Sequence, residues 1–165
     1  ELADSVRVAS VLIGTMNGIE FGLSYAMELE RDFTFRSLSL ERLDGAFVQL
    51  IADGEGNWVD GEGRALGQLH DCLDIDISGT PLTNTLPIRR ARLQPGVPRS
   101  VYVAYVPLDT LLPQREVQTY TRLDAEHVTF RNADGSFEQV LEVDDEGFVT
   151  DYPTLFRRVS TVIRR

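Results

Sequence analysis

The strongest constraint on this chain is an alternation of apolar and polar residues with a period of two, repeated along most of its length. In the segment "FGLSYAMEL", apolar side chains occupy every second position, namely Phe21, Leu23, Tyr25, Met27 and Leu29. Successive side chains of a β-strand point to opposite faces, so the pattern predicts a strand with one buried face. Short β-branched and aromatic segments recur at regular spacing between Asp/Gly turns. We therefore predict an all-β, mainly antiparallel chain of about a dozen short strands.

Local sequence signals refine the first part of this prediction. The Asn17-Gly18 pair is typical of a tight turn between two antiparallel strands. In "DFTFRSLSLERL" the apolar set changes register between Phe35 and Leu38. An extra residue near Arg36 would explain that change, so a β-bulge is expected there.

The C-terminal segment 151–165 departs from the period of two. Asp151 is a suitable helix N-cap and Pro153 would fall in the first turn. The apolar residues that follow have helical spacing: Leu155, Phe156, Val159 and Val162. These features predict one C-terminal helix.

Length and composition limit the class of protein. The 165 residues predict a single soluble domain spanning 1–165. The net charge of −10 and the lack of a basic stripe argue against nucleic-acid binding. No apolar run reaches the roughly 20 residues of a membrane-spanning helix. With a single cysteine and no signal-peptide pattern, a cytoplasmic location is expected, whereas the oligomeric state is not indicated.

The segment 68–77 concentrates side chains that could carry chemistry. If it is a regular strand, His70, Cys72, Asp74 and Asp76 point to one face. That face could hold a metal, or a cysteine nucleophile with His70 as its base. The simpler interpretation, which we favour, is a polar strand face whose carboxylates pair with arginines of a neighbouring strand: Arg89, Arg90 or Arg92. No metal or other cofactor is predicted, because no second ligand motif accompanies these residues.

The following stretch, "SGTPLTNTLPIRR", is unusual for a loop. Its two prolines stiffen the backbone around Asn84 and the flanking threonines, which offer hydrogen-bond donors and acceptors. Arg89 and Arg90 are expected to begin the next strand and to point to opposite faces, where one could bind a carboxylate or phosphate. Tyr120 could join the same polar surface. A structural corner in which Asn84 ties down loop carbonyls explains the residues equally well.

The run from Cys72 to Arg90, "CLDIDISGTPLTNTLPIRR", resembles the signature of the bacterial family named putative glycolipid-binding. Two later segments, "QTYTRL" and "VDDEGFVTDYPTLFRRV", are also similar to that family. The chain departs from the pattern at Ala91, where the family usually has Leu, and at His70-Asp71. The resemblance implies a spiral β-roll, in which a curled, half-barrel-like sheet wraps around a helix.

The same resemblance implies a protein that binds a glycolipid or another amphipathic small molecule without catalysis. The polar end of such a ligand would contact a set of polar residues: Asp74, Asp76, Asn84, Arg89, Arg90 and Tyr120. Shape alone does not establish a function, so two alternatives stay open. One is an enzyme of small metabolites that uses Asp74 and Asp76 as an acid–base pair. The other is a structural or protein-interaction module without a ligand.

Overall fold

The N-terminal half of the chain forms one antiparallel sheet in which the strands follow each other in chain order. The computed structural model describes residues 5–16 and 18–159. The strands are β1 (Ser5–Met16), β2 (Ile19–Glu30), β3 (Phe35–Arg42), β4 (Phe47–Ala52) and β5 (Trp58–Asp60).

The alternation of apolar and polar residues with a period of two produces one buried face of this sheet. Leu23, Tyr25, Met27 and Leu29 of β2 are at most 4% exposed, whereas Ser24 and Glu28 between them face solvent. Neighbouring strands contribute to the same core, in which Trp58 stacks on Phe35 with 4.9 Å between the ring centroids. Burial of such large apolar side chains is the main source of stability for the sheet.

Both local signals of the first sheet are confirmed. Strands β1 and β2 pair without interruption from Ser5↔Glu30 to Met16↔Ile19, as a tight hairpin requires, although Asn17 itself lies outside the described residues. Between β2 and β3, Leu29 pairs with Phe35 while Glu28 pairs with Ser37. Arg36 is therefore the extra residue of a bulge.

The second sheet has seven strands in the order β12-β11-β10-β9-β8-β7-β6. Its pairs are antiparallel from β8 to β12, and β6 pairs with β7 in parallel. The strands are β6 (Asp74–Ile77), β7 (Arg99–Val106), β8 (Gln114–Arg122), β9 (His127–Asn132), β10 (Glu138–Val143), β11 (Val149–Tyr152) and β12 (Phe156–Arg157). The all-β, mainly antiparallel class is confirmed, and so is the count of about a dozen strands, since the described residues contain twelve.

The chain divides into two compact units. The first consists of Glu1–Gly79 and Tyr102–Glu116, and the second of Thr80–Val101 and Val117–Arg165. Strands β7 and β8 each contribute residues to both units. The prediction of a single domain stays a prediction.

The single helix is confirmed, but its predicted position is wrong in the part that the structure describes. Within that part the one α-helix is α1 (Thr85–Arg90). The segment 151–159 instead carries the end of β11, a turn and β12, while residues 160–165 lie outside the described residues. The reason is tertiary, because Tyr152 and Phe156 face each other across β11 and β12, with 6.2 Å between their ring centroids.

The second unit has its own apolar core around these aromatic residues. Buried members of this cluster come from α1 and from four strands, and they include Ile88, Tyr120, Phe130, Leu141 and Tyr152. Among the described residues, no helix has the length and apolar character needed to cross a membrane.

Candidate functional site

The "TPLTNTLPIRR" segment is helical, which corrects the expectation that Arg89 and Arg90 begin a strand. Thr80 is extended and its side chain accepts a hydrogen bond from the backbone N–H of Leu82 at 3.3 Å, so a 3₁₀ turn begins at Pro81. This turn continues into α1, in which Pro87 is buried in the first turn. Proline is tolerated there because its missing N–H has little helical role so early in a helix.

Asn84 belongs to a buried hydrogen-bond network of the second unit. Its Nδ2 donates to the hydroxyl of Tyr120 at 3.0 Å, and that hydroxyl donates to Oε1 of Gln118 at 2.9 Å. All three residues are at most 4% exposed. Of the two interpretations of this motif, the structural one is therefore favoured for Asn84 and Tyr120, because their polar groups bond to each other away from solvent.

The two arginines of the motif lie in different surroundings. Arg89 is exposed and donates a hydrogen bond to the backbone carbonyl of Glu146, whereas Arg90 is half-buried. Consecutive residues of an α-helix are rotated by about 100° around its axis, so these side chains do not project in opposite directions as strand neighbours would.

The predicted polar face of segment 68–77 is not formed as a whole, because only Asp74–Ile77 is a strand. A 3₁₀ turn precedes it, and Asp71 has a φ of 68°. His70 is exposed, with its Nε2 lying 3.3 Å from the Asp71 carboxylate. The alternation that aligned His70 with Cys72 is therefore interrupted by the turn.

Cys72 has the properties of a structural cysteine. It is 1% exposed, and its backbone carbonyl accepts a hydrogen bond from Trp58 Nε1 at 2.8 Å. Burial raises the pKa of the thiol to about 11. Since the thiolate is the reactive form, a nucleophilic role for Cys72 is disfavoured. Across the described residues, no group of three or more side chains is arranged to hold a metal ion.

The two aspartates of β6 differ in their access to solvent. Asp74 is 1% exposed and pairs in register with Val103, whereas Asp76 is half-buried and pairs with Tyr105. Both lie on the same face of the strand, and Ser78 follows them at the same spacing. An acid–base pair needs access for its substrate, which the burial of Asp74 does not favour.

Ser78 lines a cavity of about 760 Å³ in the first unit, which we call the Arg42 cavity. One part of its lining is apolar and comes from Phe21, Leu43, Tyr105, Pro107 and Leu108. The polar part includes Arg42, Asp44, Ser78 and Asp109. Ligand sites in proteins commonly have volumes of roughly 300–1,000 Å³ and combine apolar walls with a few polar groups.

Arg42 organises the polar part of this cavity. Its guanidinium forms a two-pronged ion pair with Asp44, including a 3.0 Å bond from Nε, and it donates to the backbone carbonyl of Leu108 at 2.7 Å. Hydrogen bonding to Arg42 lowers the pKa of Asp44 below its usual value. The charged pair thus holds the β3–β4 turn against the segment that follows β7.

Tyr105 connects the Arg42 cavity with one of the aspartates predicted from the sequence. Burial raises the pKa of its phenol, and the nearby negative charge of Asp76 acts in the same direction. Asp76 is therefore the predicted site residue that the structure brings close to the cavity lining. Ser78 could have been found from the sequence, since it continues the alternation of Asp74 and Asp76. No sequence signal singled out Arg42, because it lies 66 positions from the carbonyl that it binds.

The structure thus defines an all-β protein with a ligand-sized cavity in its first unit. The model of the family described as "Putative glycolipid-binding" matches residues 1–158, and the chain belongs to that family. Among solved structures, it is similar to a DUF1089 family protein from Pseudomonas aeruginosa. The two are 36% identical with a TM-score of 0.82, over 96% of this chain and 94% of the other. No curated protein matches the sequence.

Proposed function

We propose that the protein binds an amphipathic small molecule, such as a glycolipid, in the Arg42 cavity. The observation that carries this proposal is the combination of apolar side chains and charged groups in the lining of one cavity. An alkyl chain would contact the apolar part, where contact with carbon removes apolar surface from water. Membership of a family described as "Putative glycolipid-binding" supports the same ligand class.

The polar groups of the cavity suit a sugar. A carboxylate accepts hydrogen bonds from hydroxyl groups and a guanidinium donates to their oxygens. In the Arg42–Asp44 pair both kinds of group are held in a fixed position at the cavity wall. Ser78 and Tyr105 add two hydroxyl groups on the β6–β7 side.

The polar end of the ligand is therefore proposed to lie against Arg42, Asp44 and Ser78, with Asp76 near Tyr105. Asn84 and Tyr120 are assigned to stability rather than to ligand contact, because they hydrogen-bond to each other while buried. Binding roles for Asp74, Arg89 and Arg90 stay predictions from the sequence.

Calorimetric titration with octyl glucoside below its micelle concentration tests this proposal, with octanol and glucose as partial probes. We expect saturable binding of octyl glucoside and weaker binding of either half. Leu43, which lines the cavity and is 85% exposed, can be changed with little effect on folding. Leu43→Asp places a carboxylate against the alkyl chain, which should weaken binding by at least about tenfold.

The matched control is Leu112→Asp. Leu112 belongs to the same unit and is 69% exposed, but it does not line the cavity. This variant should bind octyl glucoside like the wild type. Absence of saturable binding to the wild type, or equal binding by the two variants, would refute the assignment of the cavity.

A further inference from the structure

The second unit contains a smaller cavity of about 330 Å³, which we call the Thr85 cavity. It lies between the segment that begins α1 and the strands β11 and β12. Its apolar walls are formed by Pro81, Leu82, Phe148, Val149 and Phe156. The volume corresponds to roughly ten water molecules, so it suits a compact ligand rather than a lipid chain.

Thr85 lines this cavity and has a hydroxyl group without an internal partner. Its side chain is fully buried, and among the described residues Oγ1 makes no hydrogen bond. The two preceding residues of the motif behave differently, since Thr83 donates to the carbonyl of Thr80 and Asn84 donates to Tyr120. Buried polar groups are normally hydrogen-bonded. Oγ1 has almost no solvent-accessible surface, so a ligand group can hydrogen-bond to it only when a residue of the cavity wall shifts.

Two arginines line the same cavity. Arg157 is paired through Nε with Asp151 at 2.7 Å, and its side chain is 80% exposed. Arg158 is paired through Nη1 with Asp144 at 2.8 Å. A guanidinium has five N–H donors, so each of these pairs leaves donors that can bind an anion at the solvent-accessible side.

We propose that the Thr85 cavity binds a small aromatic carboxylate with a hydroxyl or carbonyl group at its opposite end. The ring contacts the apolar walls, and the neutral polar group hydrogen-bonds to Thr85 Oγ1. The carboxylate stays beside Arg157 and Arg158, because an unpaired carboxylate deep in the apolar part would be strongly unfavourable. This site lies in the second unit and does not depend on the ligand of the Arg42 cavity.

The probe is 4-hydroxybenzoate, compared with benzoate, which lacks the hydroxyl group. Their dissociation constants are measured by ligand-detected NMR or calorimetry with the full chain. We expect 4-hydroxybenzoate to bind more tightly than benzoate to the wild type. Thr85→Val keeps the shape of the side chain and removes the hydroxyl. It should weaken 4-hydroxybenzoate binding by about tenfold and leave benzoate binding within about twofold.

Two further variants separate ligand contact from a change in folding. Thr85→Ser retains the hydroxyl and should restore the preference for 4-hydroxybenzoate. Thr121→Val, at a half-exposed position of β8 outside the cavity, should bind both probes like the wild type.

Arg157→Gln tests the carboxylate end and should weaken both probes to a similar extent. The proposal is overturned if the wild type binds neither probe at millimolar concentration. It is equally overturned if Thr85→Val retains the full preference for 4-hydroxybenzoate.

Discussion

The removal of one hydroxyl group, in Tyr120→Phe, tests whether the buried network around Asn84 stabilises the fold. The hydroxyl of Tyr120 accepts from Asn84 at 3.0 Å and donates to Gln118 at 2.9 Å. Phenylalanine retains the ring, which is fully buried and packs edge-on against Phe130. The substitution therefore changes polar contacts while it conserves apolar packing.

The magnitude follows from the number of buried groups affected. Each hydrogen bond contributes about 1 kcal/mol net, and a buried group that loses its partner costs about 1–3 kcal/mol. Since one donor and one acceptor lose this hydroxyl, we expect the free energy of unfolding to fall by about 2–4 kcal/mol. With an m-value of about 2 kcal/mol/M, the urea midpoint should fall by about 1–2 M.

The assay is equilibrium urea unfolding followed by tyrosine and tryptophan fluorescence and by circular dichroism. Tyr102→Phe is the matched control, because Tyr102 is 42% exposed and its ring contacts Arg115, which the substitution leaves in place. That control should change stability by less than about 0.5 kcal/mol. If Tyr120→Phe is as stable as the control but loses affinity for a ligand, the network is a binding surface and the structural assignment is wrong.

Three further predictions concern the backbone and two titrating groups. Gly56→Ala should lower the free energy of unfolding by about 2–3 kcal/mol in urea unfolding, because φ is +93° and the new Cβ would lie 3.0 Å from a backbone atom of a neighbouring loop. In Gly135→Ala, where φ is +71° and the Cβ has open space, the loss should be only about 1 kcal/mol. Cys72 should resist a thiol reagent at pH 8 until urea is added. Burial raises the pKa of its thiol to about 11 in the folded protein, from an ordinary value of 9.0. The contribution of Cys72 to stability should therefore be complete below pH 9 and lost as the pH rises towards 11. The pKa of His127 should lie above its ordinary value in an NMR titration, because the imidazole hydrogen-bonds to the Asp124 carboxylate, and Asp124→Asn should lower that pKa. The stability that this pair contributes is present at low pH and is lost as the pH rises through the folded-state pKa of His127.

The two cavities differ in volume and in the polar groups of their walls, so their ligands can be tested separately. The Arg42 cavity is large and has an ion pair in its wall. The Thr85 cavity is smaller and contains a buried hydroxyl that has no hydrogen-bond partner among the described residues. The Arg42 cavity is more than twice as large as the Thr85 cavity, so octyl glucoside is expected to bind in the first unit. The effects of Leu43→Asp and Thr85→Val on ligand affinity should therefore be independent, because the two cavities have no lining residue in common.

The strands could be predicted from the sequence wherever the alternation was regular. The buried face of β2 follows from the positions of Leu23, Tyr25, Met27 and Leu29, and the bulge at Arg36 follows from a change in the apolar register. These features depend on neighbours in the chain, since side-chain direction in a strand repeats every two residues. Local patterns were therefore sufficient.

Local patterns were misleading where two structures fitted the same residues. The segment 151–159 has helical spacing, yet Tyr152 and Phe156 are drawn into an aromatic cluster as paired strand residues. The segment 85–90 contains a proline and was expected to end in a strand, but it forms α1 and buries Ile88 in the same cluster. Tertiary burial outweighed intrinsic propensity in both segments, because propensity differences are small compared with the burial of an apolar side chain.

The sequence by itself determined the all-β class, the buried faces of the strands and the motif that identifies the family. Only the tertiary structure decided which polar residues of that motif face a cavity and which bond to each other. Asn84 and Tyr120 are 36 positions apart, and Arg42 binds a carbonyl 66 positions away. Such contacts arise from the pairing of strands that are distant in the chain, and no pattern of period two contains that information.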